Sequence, residues 1–211
     1  MVWQMSVSIS KARRASLRFV VAGAALAMST IPAFAAEPAV VVDGFHGALI
    51  GAMKTSSGGC VARRKGLAPE VDRDFDLTFL AQRVLRKRWS SMDDNQRTQF
   101  TVLFRELVIT TYADNFSGFN GERFSAANAQ ALPDGTQMAK SQLTPAKGSP
   151  VEFDYVLRKN GDNWQIVNII TDGVSNLALW SSQYERIFAD HGYEGLMKQL
   201  AEQVEKAKKS C

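Results

Sequence analysis

His46 and His191 are the only imidazoles in this 211-residue chain that could do acid–base or metal chemistry. Neither belongs to an H-E-x-x-H helix, and Cys60 and Cys211 form no C-x-x-C pair, so the ligand spacings of a zinc site are absent. Ser175, Asp172 and His191 supply the residue types of a hydrolytic triad. Asp172-Gly173-Val174-Ser175 is not the G-x-S-x-G nucleophile elbow, however, and the chain order is wrong for that fold. Asp172 or Ser175 reads better as a helix cap that accepts free backbone N–H groups. Glu152 and Asp154 share one strand face, where the polar side of an edge strand accounts for them. An enzyme acting on an apolar substrate would need Asp154 as its base, because the other pocket-facing polar candidate, Asn168, cannot serve as one. No glycine-rich phosphate loop follows a strand, and no cofactor is expected.

Two basic clusters remain, Arg63-Arg64-Lys65 and Arg83, Arg86, Lys87, Arg88. They read as solvated helix faces or as a docking patch for an acidic partner or membrane surface, with Arg63, Arg64, Arg86 and Arg88 the candidate contacts. Overall charge gives no support to nucleic-acid binding. Of the 25 Lys and Arg residues, four lie in residues 1–35, which contain no acid, and the remaining 21 face 21 Asp and Glu.

Those 35 residues have the layout of a secretory signal peptide. Basic Lys11 to Arg18 precede an apolar run from Phe19 to Met28, followed by Ala33-Phe34-Ala35. The run falls short of the ~18 apolar residues of a membrane span. Cleavage after Ala35 leaves residues 36–211 as a single domain outside the cytoplasm. Export would place Cys60 and Cys211 in an oxidising compartment, where both a bond closing a loop of about 150 residues and two free thiols stay open.

The elements that must position these residues follow from periodicity. Val41, Val42, Phe45, Leu49 and Met53 predict a helix over 39–54. Phe75, Phe79, Leu80, Val84 and Leu85 predict another over 75–89. Phe100, Leu103, Phe104, Leu107, Val108, Thr111 and Tyr112 form an apolar stripe over 95–116. Short strands are expected around 122–130 and 136–144. Val151, Phe153, Tyr155 and Leu157 alternate with polar residues as a half-buried strand, and Asn160-Gly161 marks a hairpin turn. Residues 164–170 are apolar on both faces, as in a strand covered on both sides. Two amphipathic helices close the chain, with Gly192 as the left-handed residue between them. The class is α+β, an antiparallel sheet packed on several helices.

Three segments carry a resemblance. Trp164 to Tyr184, including Asp172-Gly-Val-Ser-Asn-Leu-Ala-Leu-Trp180, resembles the signature of the MlaC family of periplasmic lipid-binding proteins, also called toluene-tolerance or Tgt2-type proteins. Phe100 to Tyr112 is similar to that family's F-x-x-L-F-x-x-L-L-x-x-T-Y helix, and Pro150 to Leu157 to its central strand. The first segment is most similar to the hopanoid-associated HpnM branch. Ser181-Ser182 departs from the Arg common in the family before Gln-Tyr, so no contact of that Arg carries over.

The resemblance implies an NTF2-like fold with a deep apolar cavity between sheet and helices. It also implies a non-enzymatic shuttle that carries phospholipid or hopanoid across the periplasm. An inner-membrane ABC-type or RND-type transport complex and an outer-membrane acceptor complex are the implied partners. Helix and strand stripes nominate the cavity lining: Leu103, Phe104, Leu107, Val108, Tyr112, Phe153, Tyr155, Ile166, Val167, Ile169, Val174 and Leu177. The alternatives are a pocket enzyme resting on Asp154 and a non-catalytic periplasmic adaptor with a solid core.

Overall fold

Pro38 opens the first helix, α1 (Pro38–Met53), where its missing N–H costs nothing. A computed structural model describes residues 37–55 and 57–211, so the expected signal peptide lies outside the described residues. Val42, Phe45, His46, Leu49 and Met53 form the buried stripe of α1. Phe45 meets Phe75 and Tyr112 edge-on, with ring centroids 5.0 and 5.2 Å apart.

Helix α2 (Gly59–Asp74) was not announced by periodicity. Its buried positions are Arg63, Leu67, Val71 and Asp74, so polar residues hold both ends of the inward stripe and mask the 3.6-residue pattern. Arg63 is only 6% exposed. Its Nε donates to the Ala113 carbonyl and its Nη2 to the Cys211 backbone oxygen, both at 2.8 Å. A disulfide joins Cys60 to Cys211, with Cα atoms 5.1 Å apart.

The helix expected over 75–89 is two helices, α3 (Leu77–Leu85) and α4 (Lys87–Ser91). It starts late because Phe75 is extended and bridges Ile166, while the Asp76 carboxylate caps α3 by accepting the Phe79 N–H. It breaks at Arg86, whose φ of 48° and ψ of −121° suit glycine rather than a residue with a β-carbon. Such strain costs about 1–3 kcal/mol, against ~0.4–1 kcal/mol for the freer unfolded chain of a glycine variant. Arg86→Gly is therefore expected to raise stability by about 1 kcal/mol. A higher urea midpoint at unchanged slope would show it, and a lower midpoint would refute it.

Helix α5 (Asp94–Asn115) starts at a reciprocal capping box. Asp93 accepts from the Gln96 N–H at 2.8 Å, and Gln96 accepts from the Asp93 N–H at 3.1 Å. Among the described residues the strands are β1 (Arg123–Phe124), β2 (Asn128–Ala131), β3 (Gln137–Thr144), β4 (Val151–Asn160), β5 (Asn163–Thr171) and β6 (Val174–Ser175). They form one antiparallel sheet in the order β1-β3-β4-β5-β6, with β2 pairing a further stretch of β3. The β4–β5 loop is centred on Gly161-Asp162, one residue later than the Asn-Gly reading. Asn160 pairs with Asn163, and Gly161 takes the positive φ of 59°.

The apolar run of β5 has a cause besides burial on two faces. Leu157 pairs with Ile166 and Val156 with Asn168, which leaves Val167 as the extra residue of a bulge. The bulge shifts the alternation by one, so Ile166 and Ile169 stand opposite Leu157 and Tyr155, two residues of one face of β4.

Helix α6 (Asn176–Ser210) contains both C-terminal helices, with a break at Gly192. Gly192 has the expected positive φ, 64°, but a ψ of −165° rather than the left-handed helical value. Ser175 caps α6 by accepting the Ala178 N–H at 3.1 Å. Asp172 instead accepts the Glu152 N–H at 2.9 Å. Among the described residues no helix is long and apolar enough to cross a membrane.

Candidate functional site

The apolar cavity lies between β5 and the helices, walled by Phe75 and Leu80, by Tyr112 of α5, by Ile166, Asn168 and Ile169 of β5, and by Asn176, Leu177 and Trp180 of α6. Its two isoleucines reach one space because of the bulge at Val167. Asn168 pins the opposite wall: its Oδ1 accepts from Ser175 Oγ at 3.1 Å and from the Leu177 N–H at 3.2 Å. Trp180 is braced from behind by Phe104, edge to face at 5.2 Å.

The expected depth is absent from this conformation. The cavity measures about 10 Å³. A single water needs about 10–15 Å³, so the walls are closed on one another. Among the described residues no carboxylate or imidazole lines the cavity, and its polar side chains are the Asn168 and Asn176 amides and the Tyr112 phenol.

Of the twelve residues nominated as lining, Tyr112, Ile166, Ile169 and Leu177 stand on the cavity wall. Phe104, Leu107 and Val108 are buried along α5, and Leu103 is half-buried beside them. Phe153 and Tyr155 are buried toward α1 and β1: Tyr155 hydroxyl lies 2.9 Å from His46 Nε2, and Phe153 packs on Phe124. Val167 is buried at the bulge without lining the cavity. Val174 is a correction, since it is 50% exposed in the short β6 and contributes nothing to the wall. Asn168, named from the sequence as a pocket-facing polar candidate, is on the wall, whereas Phe75, Leu80, Asn176 and Trp180 were not nominated. Phe75, Leu80 and Trp180 lay on the helical stripes and were recoverable, whereas Asn176 gave no signal.

The docking candidates separate sharply. Arg63 is corrected from a surface contact to a buried strut between α2, the end of α5 and Cys211. Arg64 pairs with Glu106, and Arg88 pairs with Glu185 while lying over the Phe188 ring. Arg86 stays exposed. The imagined triad is not assembled, because the Ser175 hydroxyl binds Asn168 and Ala178 while Asp172 binds Glu152. Asp154 faces Lys140, 3.3 Å away, rather than the cavity, so a pocket enzyme lacks its proposed base.

His46 forms a second polar centre, 4% exposed and stacked flat on Phe124 with centroids 3.9 Å apart. Burial drives its pKa down to about 4, against a weaker opposing pull from Asp43. The imidazole is therefore neutral at pH 7.

A crystallised phospholipid-binding protein from Ralstonia solanacearum, solved in complex with a phospholipid, has a similar fold at a TM-score of 0.70. Its sequence is 20% identical, and the match covers 82% of this chain and 99% of that one. The sequence pattern of the family described as MlaC protein matches residues 47–202. With that match spanning most of its length, the chain belongs to the MlaC family.

Proposed function

We propose that the protein is a periplasmic phospholipid carrier, which takes acyl chains between β5 and the first arm of α6 and passes them between inner- and outer-membrane machinery. The observation that carries this reading is the cavity itself. It sits between sheet and helices, its walls are mostly aromatic and aliphatic, and among the described residues no carboxylate or imidazole lines it. The phospholipid held by the Ralstonia protein of similar fold favours phospholipid over hopanoid.

A carrier is needed because each methylene exposed to water costs ~0.8 kcal/mol, which makes free passage of a two-chain lipid very slow. The closed cavity sets the mechanism. Lipid enters only if the wall made by Leu177 and Trp180 moves away from Ile166 and Ile169, and the hydrocarbon then replaces the contacts those side chains lose. Release requires a partner that binds the open form better, since an equilibrium shifts only by differential affinity. Protein purified from its native cell envelope and extracted into organic solvent is expected to yield about one phospholipid per chain by mass spectrometry. Extracts free of lipid from repeated preparations, together with no uptake from vesicles, would overturn the reading; a hopanoid would change the cargo.

A further inference from the structure

The apolar cavity has a cationic neighbour. Arg83, Arg86, Ser175, Leu177, Ala178 and Ser181 enclose a groove of about 260 Å³ between the end of α3 and the first turns of α6. Leu177 lines both spaces, so the groove begins where the hydrocarbon wall ends.

Four features of the groove suit an anion. No carboxylate lines it. Among the described residues, Arg83 and Arg86 have no acidic partner, whereas Arg64, Arg88, Arg97, Arg105 and Arg158 are each paired. The positive end of the α6 dipole lies in its wall. Ser181 is 2% exposed, and its Oγ is buried without a hydrogen-bond partner, an expense that a bound oxyanion would relieve. The first-turn N–H groups of Leu177 and Ala178 are already held by Asn168 and Ser175, so the direct donors fall to the guanidinium groups and the Ser181 hydroxyl.

We propose that this groove binds the phosphodiester of an anionic phospholipid headgroup while the acyl chains occupy the adjoining cavity. Arg83 and Arg86 supply charge-assisted hydrogen bonds, and Leu177 marks the boundary between phosphate and hydrocarbon. The proposal rests on the carrier reading and adds selectivity to it, because a neutral hopanoid gains nothing from the two arginines. Docking on a partner is not required of them.

The test loads the full mature chain at low salt from mixed micelles of equal phosphatidylglycerol and diacylglycerol with matched acyl chains, the second lacking the phosphodiester, then quantifies the bound lipids. Wild type is expected to enrich phosphatidylglycerol about ten-fold, the scale of one or two charge-assisted bonds. In the R83Q/R86Q variant the enrichment should vanish, with phosphatidylglycerol uptake falling to the level of diacylglycerol, and R83K/R86K should restore part of it. Ser181→Ala should lower the enrichment about two-fold, a smaller share befitting a neutral donor. Equal loading of the two lipids by wild type, or enrichment that survives R83Q/R86Q, would overturn the headgroup site and leave the carrier intact. No loading from either lipid would overturn both. Titration with inorganic phosphate alone is expected to give no saturable binding; saturation lost in R83Q/R86Q, without any lipid preference, would make the groove a free-anion site and end the proposal.

Discussion

Reduction of the Cys60–Cys211 bond is expected to lower stability by about 5 kcal/mol, the chain-entropy value for cross-linking residues 151 apart. That is a large part of the ~5–15 kcal/mol typical of a whole domain. The loss is not confined to the bond. Freed from Cys60, the end of α6 no longer holds the Cys211 backbone oxygen against Arg63, and a buried guanidinium keeps only Ala113 as a partner. Urea unfolding of the C60A/C211A variant beside oxidised wild type measures the effect. A difference below about 1 kcal/mol would show that the native fold holds these ends together without the bond.

Acidification is expected to produce the second large loss, with His46 as its source. Its folded pKa of about 4 lies below the ordinary 6.5, so between those values the unfolded chain binds a proton that the folded chain does not. Stability contributed by the neutral imidazole is full above pH 6.5, falls as pH drops toward 4, and flattens below. The total is about 3 kcal/mol. Asp43, with Oδ1 3.8 Å from Nδ1, is the acid that faces the ring, while Tyr155 and Phe124 close the other sides. The buried Asp74 carboxyl, raised by desolvation, has the opposite pH dependence. It is common to both proteins when wild type is compared with His46→Gln. The variant should lose the excess slope between about pH 6.5 and 4, and parallel profiles would refute the assignment.

Much of the fold was legible because local signals agreed. The stripe of α5, the alternation of β4 and the turn glycine at 161 each gave the element that the chain adopts. Elements with tertiary causes were not legible. Helix α2 buries Arg63 and Asp74, a choice that makes sense only once Ala113 and Cys211 are in place. The break at Arg86 sits at an arginine where sequence rules look for glycine. The cavity wall was half legible. Apolar stripes named Tyr112, Ile166, Ile169 and Leu177, but the same stripes named residues that fill solid core. A period cannot tell a cavity from its surroundings, and the bulge that aligns the two isoleucines exists only in the pairing of β4 with β5.

The break at Gly192 settles a question of length. An unbroken helix of the span of α6, 35 residues, would run about 52 Å. A domain of about 175 residues has a radius of gyration of only ~16 Å, so much of such a rod would project into water. Along a straight rod, Tyr184 and Gln203 would stand about 28 Å apart. In the folded chain the Tyr184 hydroxyl donates to Gln203 Oε1 across 3.1 Å. The helix has doubled back on itself. One limb walls the cavity with Leu177 and Trp180; the other is moored to α2 through Cys211. The limb that walls the cavity is thereby joined through Gly192 to a limb whose end is covalently tied to α2.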